Sequence, residues 1–265
     1  MAAFRSDAAA ALAARNLTED AFLGDRLMLL QPERGYRAGL DAVLLAAATP
    51  VLEGPAPIEI LDVGAGVGVV GLCLACRLPQ TRVTLVERDP LLAALARENA
   101  ERTGLSHRVS VIEADIGARL SAAPELKARS ESFDIVVSNP PYHDAAAGTP
   151  AGDVRKARSH AMPAGSLERW LRFMASMTKP RGTMAMVHRA EALGDVLEGC
   201  RRRFGGILIR PLHPRDGAPA NRIIVTATRG SRAPLTLSAG IVLHAPGGGF
   251  SPAIEAALRH GAALG

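Results

Sequence analysis

The chain has 265 residues, 48% of them hydrophobic, and a formal net charge of +5, enough apolar content for a full core. No apolar run is long enough to span a bilayer, and residues 1–16 carry Arg5, Asp7 and Arg15 and lack an apolar signal core. The three cysteines give no disulfide framework, so a reduced cytoplasm is the expected compartment.

The charge is unevenly spread. Residues 1–150 hold 14 Lys/Arg against 19 Asp/Glu, whereas residues 151–232 hold 16 against 6. A basic second half suits a polyanion such as nucleic acid, although scattered arginines also serve as ordinary solvated surface.

In chain order, residues 6–15 read as an alanine-rich helix within an N-terminal arm, 1–26. Leu27–Gln31 predicts a short strand, Pro32–Gly35 a turn, and Asp41–Ala48 an apolar helix capped by Asp41. Pro50–Pro57 reads as a linker. From Ile58 the pattern becomes regular. Strands are expected over 58–63, 82–87, 108–113, 133–138, 182–187, 205–210 and 221–228, with helices over 68–78, 90–103, 166–178 and 190–203. This alternation predicts an α/β fold: a seven-stranded, mostly parallel, doubly wound sheet covered on both faces. Loop 211–220 joins the last two strands without a helix, which predicts a hairpin and an antiparallel last strand at the edge. A short strand in Leu235–Leu243, the loop Pro246–Gly249 and a helix near 252–260 follow. The expected organisation is a main domain over 27–244, with its core at 58–228, and a tail helix in 245–265.

The stretch IEILDVGAGVGVVG, residues 58–71, runs from a strand through Gly64, Gly66 and Gly68 into a helix. Glycines there allow positive φ and close approach of backbone to ligand, and the helix start offers free N–H groups, so a nucleotide cofactor is expected. Gly66-x-Gly68-x-x-Gly71 fits the dinucleotide fingerprint, which keeps NAD open. Asp62 argues against it. A carboxylate before the first glycine repels a pyrophosphate and suits a cofactor with a cationic amino group. Glu87, ending the second of these strands, can accept both hydroxyls of a ribose in either cofactor family. Asp115, at the end of the third, can accept from an adenine amino group. Three carboxylates ending successive strands beside a glycine loop make a site where such sheets bind ligands. Cys73 and Cys76 lie in the following apolar helix without a second pair to complete a zinc site, and read as core; no metal is expected.

The run DVGAGVG, with Glu87 and Asp115, resembles the S-adenosylmethionine site of class I methyltransferases, whose Rossmann-like sheet has seven strands with the last pair antiparallel. The resemblance implies that Asp62 and the glycines hold the methionine end, Glu87 the ribose and Asp115 the adenine. It also implies Ala65, Arg88 and Ile116 as neighbouring cofactor-binding positions.

Strand 133–138 runs into Asn139-Pro140-Pro141-Tyr142. Two prolines remove donors and stiffen the backbone. The Asn139 side chain and the carbonyls then present fixed acceptors, and Tyr142 adds an aromatic face. That set suits a planar group bearing an NH2, aimed at a methyl donor by positioning rather than by a strong base. NPPY resembles the motif of amino methyltransferases acting on adenine N6, guanine N2 or glutamine N5. The flanks LQPERGYRAGLDAVLLAA, PLHPRDGAPANRIIVTATRG and PLTLSAGIVLH are similar to the bacterial family that methylates N6 of an adenosine beside the anticodon of a valine tRNA. That resemblance covers roughly residues 27–244. It implies that Tyr36 and Asp41 close over the cofactor, and that Asn139 also touches it.

After NPPY, Arg155, Lys156, Arg158 and His160 cluster at the end of a Gly- and Ala-rich loop, where RNA phosphates can lie. Arg201–Arg203 end a helix and complement its dipole. Arg215, Asn221 and Arg222 match family positions without a derivable role. The expected partner is tRNA or another RNA, with no membrane; a dimer is allowed and not required. A base in folded RNA must be unstacked or already in a loop to reach Asn139. Three rivals stay open: methylation of another nucleic-acid base or of a protein glutamine, an NAD-dependent oxidoreductase, and an inactive nucleic-acid-binding module.

Overall fold

The computed structural model describes residues 16–35, 37–51, 57–117, 123–141, 143–144, 161–162 and 166–264. The helix expected over 6–15 and part of the 50–57 linker fall outside them. Strands β1 (Leu17–Phe22) and β2 (Leu27–Pro32) form an antiparallel hairpin. Helix α1 (Leu40–Ala48) is followed by β3 (Ile58–Val63), α2 (Val69–Arg77), β4 (Thr81–Glu87), α3 (Pro90–Arg102) and β5 (Val109–Glu113). Then come α4 (Pro124–Ala128), β6 (Phe133–Ser138), the short pair β7 (His143–Asp144) and β8 (Ala161–Met162), α5 (Ser166–Met177) and β9 (Thr178–Arg189). Helix α6 (Leu193–Cys200), β10 (Phe204–His213), β11 (Arg222–Arg229), β12 (Thr236–Leu237), β13 (Ile241–Val242) and α7 (Pro252–His260) complete the chain.

The main sheet runs β12-β10-β11-β9-β6-β3-β4-β5, with β13 also on β10, making nine strands where seven were expected. The two extra strands are two-residue segments of Leu235–Leu243, split by Gly240 at φ +90°. From β5 to β9 all pairs are parallel; β11 is antiparallel to both its neighbours. The antiparallel strand is therefore not at the edge, as expected, but inserted between β9 and β10. Composition explains the order. In β11 Ile223, Ile224, Val225 and Ala227 are buried, which suits an inner place. In β10 two glycines, Arg210 and Pro211 suit an outer one.

The chain leaves β3 toward β4 and β5 on one side and returns to β6 on the other. The crevice between the carboxyl ends of β3 and β6 is thus the switch point where open α/β sheets bind ligands. One face of the sheet packs on α1, α2, α3, α7 and the hairpin; the other packs on α4, α5 and α6. Three further differences are local. Asp41 lies in the first turn of α1, whose N-cap is Gly39. Helix 190–203 is a 3-10 turn, Ala190–Ala192, leading into the shorter α6. Strand β9 starts at Thr178, directly after α5, and bulges at Arg181 (φ +65°) before pairing regularly with β6.

Buried Asn99 on α3 ties the hairpin to the glycine loop. Its Nδ2 donates to the carbonyls of Leu30 and Val67, both at 3.0 Å, and its Oδ1 accepts from Leu30 N–H at 2.8 Å. No described helix is long and apolar enough to cross a membrane.

Candidate active site

Strand β3 is buried along most of its length and delivers Asp62 to the switch point at 1% exposure. Its Oδ2 accepts from Gly71 N–H at 2.9 Å. Gly71 is in the first turn of α2, where N–H groups lack helical partners, so Asp62 caps that helix from a neighbouring strand. A side chain at Gly71 would meet Leu85 Cδ2 at 2.2 Å and Val83 Cγ1 at 3.0 Å, so glycine lets helix and sheet approach without displacing those side chains. The other oxygen, Oδ1, is buried with no hydrogen-bond partner. Burial pushes the Asp62 carboxyl up to about 7; the Gly71 hydrogen bond opposes this and the Glu87 charge adds to it.

The loop after β3 holds Gly64, Gly66 and Gly68 at φ +70°, +57° and +92°. Gly64 and Ala65 N–H both donate to the Val86 carbonyl at 2.9 Å, which pins the loop to β4. Gly66 N–H donates to Glu87 Oε2 at 2.8 Å, and Glu87 Oε1 accepts from Arg88 and Asp89 N–H at 2.8 and 2.9 Å. The first glycine of the dinucleotide fingerprint therefore directs its N–H at a carboxylate, where an NAD site would offer it to a pyrophosphate.

Asn139 and Pro140 follow Ser138 at the end of β6, Asn139 half-buried and Pro140 buried. The β3–β6 ladder stops at Asp62↔Val137, and beyond it the Ser138 hydroxyl donates to the Val63 carbonyl at 2.7 Å. This brings the asparagine–proline turn to the same crevice as Asp62 and the glycine loop. Asp115 lies exposed two residues past β5 and accepts from Gly117 N–H at 2.8 Å; Ile116 beside it is half-buried. Arg88 is exposed at the end of β4. Asp41 accepts from Arg222 Nε at 3.0 Å, linking α1 to the start of β11. Tyr36, Tyr142, Arg155, Lys156, Arg158 and His160 lie outside the described residues.

Two neighbours of the crevice, Trp170 and His188, carried no signal in the sequence. Trp170 on α5 donates its indole N–H to Ser138 Oγ at 2.8 Å. His188 lies two residues beyond Met186, the register partner of Ser138, and its burial holds the imidazole toward the neutral form. Arg189 and Arg222 are register partners, and Arg215 lies in the exposed β10–β11 loop at that same edge. Arg203 is elsewhere: it donates to the Gly199 carbonyl in the last turn of α6 at 2.9 Å, as helix-end complementation requires. Cys73 is buried and its thiol is pushed up by burial, as for a core residue. Among the described residues no cluster of His, Cys, Asp and Glu could hold a metal ion.

A parallel sheet with one antiparallel strand inserted near its end, a carboxylate-capped glycine loop and an asparagine–proline turn facing each other define an S-adenosylmethionine-dependent methyltransferase. A family model described as "Methyltransferase small domain" matches residues 43–171. A Porphyromonas gingivalis protein named tRNA1(Val) (adenine(37)-N6)-methyltransferase is 33% identical over 179 residues, 67% of this chain and 68% of that protein. A protein of the same name from Aeromonas hydrophila is 31% identical over 219 residues, 81% of this chain and 85% of its own length. A crystal structure from Agrobacterium tumefaciens, described as a predicted O-methyltransferase, superposes with a TM-score of 0.69 at 32% identity, over 84% of this chain and 98% of that one. The chain belongs to the methyltransferase family whose relatives carry the tRNA1(Val) (adenine(37)-N6)-methyltransferase name.

Proposed function

We propose that this methyltransferase transfers a methyl group from S-adenosylmethionine to N6 of an adenosine in tRNA, in the cytoplasm. The observation that carries the reading is the Ser138–Val63 hydrogen bond, which sets Asn139-Pro140-Pro141 across the switch point from Asp62 and the glycine loop. When bound, S-adenosylmethionine supplies a methyl group on a cationic sulfur.

The residues fit that cofactor. Asp62 Oδ1 is a buried acceptor lacking a donor, which a cationic amino group supplies. Gly64, Ala65, Gly66 and Gly68 let backbone approach the methionine end. Glu87 Oε2 accepts a single backbone N–H and retains capacity for a ribose hydroxyl. Asp115 and Ile116 are read as holding the adenine edge, with Arg88 as a further cofactor residue. Tyr36 and Asp41 are proposed to close over the cofactor.

At the acceptor, we read the Asn139 side chain and the carbonyls of the proline turn as accepting hydrogen bonds from the N–H groups of an exocyclic amino group, with Tyr142 stacking on its ring. The nitrogen lone pair is then aimed in line at the methyl group, and positioning lowers the barrier without a strong base. This favours nitrogen over oxygen as acceptor. Arg155, Lys156, Arg158 and His160, with the exposed Arg215, are proposed to supply cations for RNA phosphates. The relatives' name supports tRNA and the adenine. Incubation with total tRNA and labelled cofactor, followed by nucleoside mapping, tests it.

A further inference from the structure

Trp170 is the chain's single tryptophan, and nothing in methyl transfer calls for an indole at this place. Its N–H donates to Ser138 Oγ at 2.8 Å, and Ser138 in turn donates to the Val63 carbonyl at 2.7 Å. The ring edge lies against Gly64, where an added Cβ would stand 2.7 Å from the six-membered ring. One side chain from α5 thus touches the last residue of β6, directly before Asn139, and the first glycine after β3. It does so where the β3–β6 ladder stops, at Asp62↔Val137.

Resting on the methyltransferase reading above, we propose that Trp170 is a positioning residue: it sets the distance between the Gly64 loop and Asn139, and so the alignment of acceptor nitrogen with donor methyl. Effective alignment is sensitive to shifts of about 1 Å, for which losses on the order of 100-fold are known. The ring alone would support Gly64; the N–H is what fixes Ser138.

The experiment compares Trp170→Phe and Ser138→Ala with wild type, using methyl transfer to tRNA and calorimetric titration with S-adenosylhomocysteine. Both variants are expected to lose about 10- to 100-fold in kcat with cofactor Kd within about threefold of wild type. The double variant is expected to be no worse than the poorer single one, because both remove the same link. A Trp170→Phe enzyme that turns over like wild type, or that loses cofactor affinity with kcat intact, overturns the proposal. Additive losses in the double variant do so too. A wild type that methylates no RNA instead ends the tRNA reading. The positioning role is then judged from the single tryptophan's emission, which S-adenosylhomocysteine must shift in wild type and shift less in Ser138→Ala; an equal shift, or none, overturns it.

Discussion

Asp62 and Gly71 are joined by one hydrogen bond of 2.9 Å, from the first turn of α2 to the end of β3, while the second oxygen of the same carboxyl is buried without a partner. Half of the group builds the fold and half is left over for a ligand.

The first prediction concerns pH. Burial raises the Asp62 carboxyl from 3.8 to about 7, so the native state holds this proton more tightly than the unfolded chain. Its contribution is fully present below pH 3.8 and is lost as pH rises through about 7. The difference amounts to about 4 kcal/mol at most. Asp62→Asn, which cannot ionise, should gain stability relative to wild type between pH 4 and 8 in ligand-free denaturation. It should also weaken S-adenosylhomocysteine binding, read by calorimetry.

A second prediction tests the packing at Gly71. The added methyl of Gly71→Ala would meet Leu85 at 2.2 Å and Val83 at 3.0 Å, both on a rigid inner strand. Overpacking of this kind costs about 1–3 kcal/mol. Urea denaturation should register that loss with an unchanged m-value.

Asn99→Ala should cost about 1–3 kcal/mol, since it removes the partner of the buried Val67 carbonyl and of the half-buried Leu30 N–H and carbonyl. Hydrogen exchange at the β1–β2 hairpin should quicken most, because Asn99 fastens it to the loop.

The Asp41–Arg222 pair should be weaker. Both side chains are about a quarter exposed or more, at 25% and 30%. A double-mutant cycle should give a coupling of about 1 kcal/mol or less, falling with added salt.

These contacts also mark what could be read from the chain and what could not. The strand–glycine–helix step at 58–71 is legible because strand pattern, glycines and helix start are neighbours in sequence. The same holds for NPPY, whose chemistry is local. Asp41 reads as a helix cap in sequence, but its partner Arg222 is 181 residues away. Trp170 looks like one apolar helix residue until folding brings it to Ser138, 32 residues upstream. The β1–β2 hairpin is hidden for another reason. Its turn places Leu23 and Asp25 at positive φ, without the Asn-Gly or Asp-Gly pair that announces such turns. The position of β11 inside the sheet follows from burial on both faces, which alternation and loop length do not report.

The measurement that tests the central claim most directly is nucleoside mapping of tRNA methylated by the purified protein with labelled S-adenosylmethionine, beside an Asn139→Ala control. The account predicts label in N6-methyladenosine of tRNA, reduced on the order of 100-fold or more in the variant. Label in a different nucleoside, in protein glutamine, or undiminished in Asn139→Ala would contradict it.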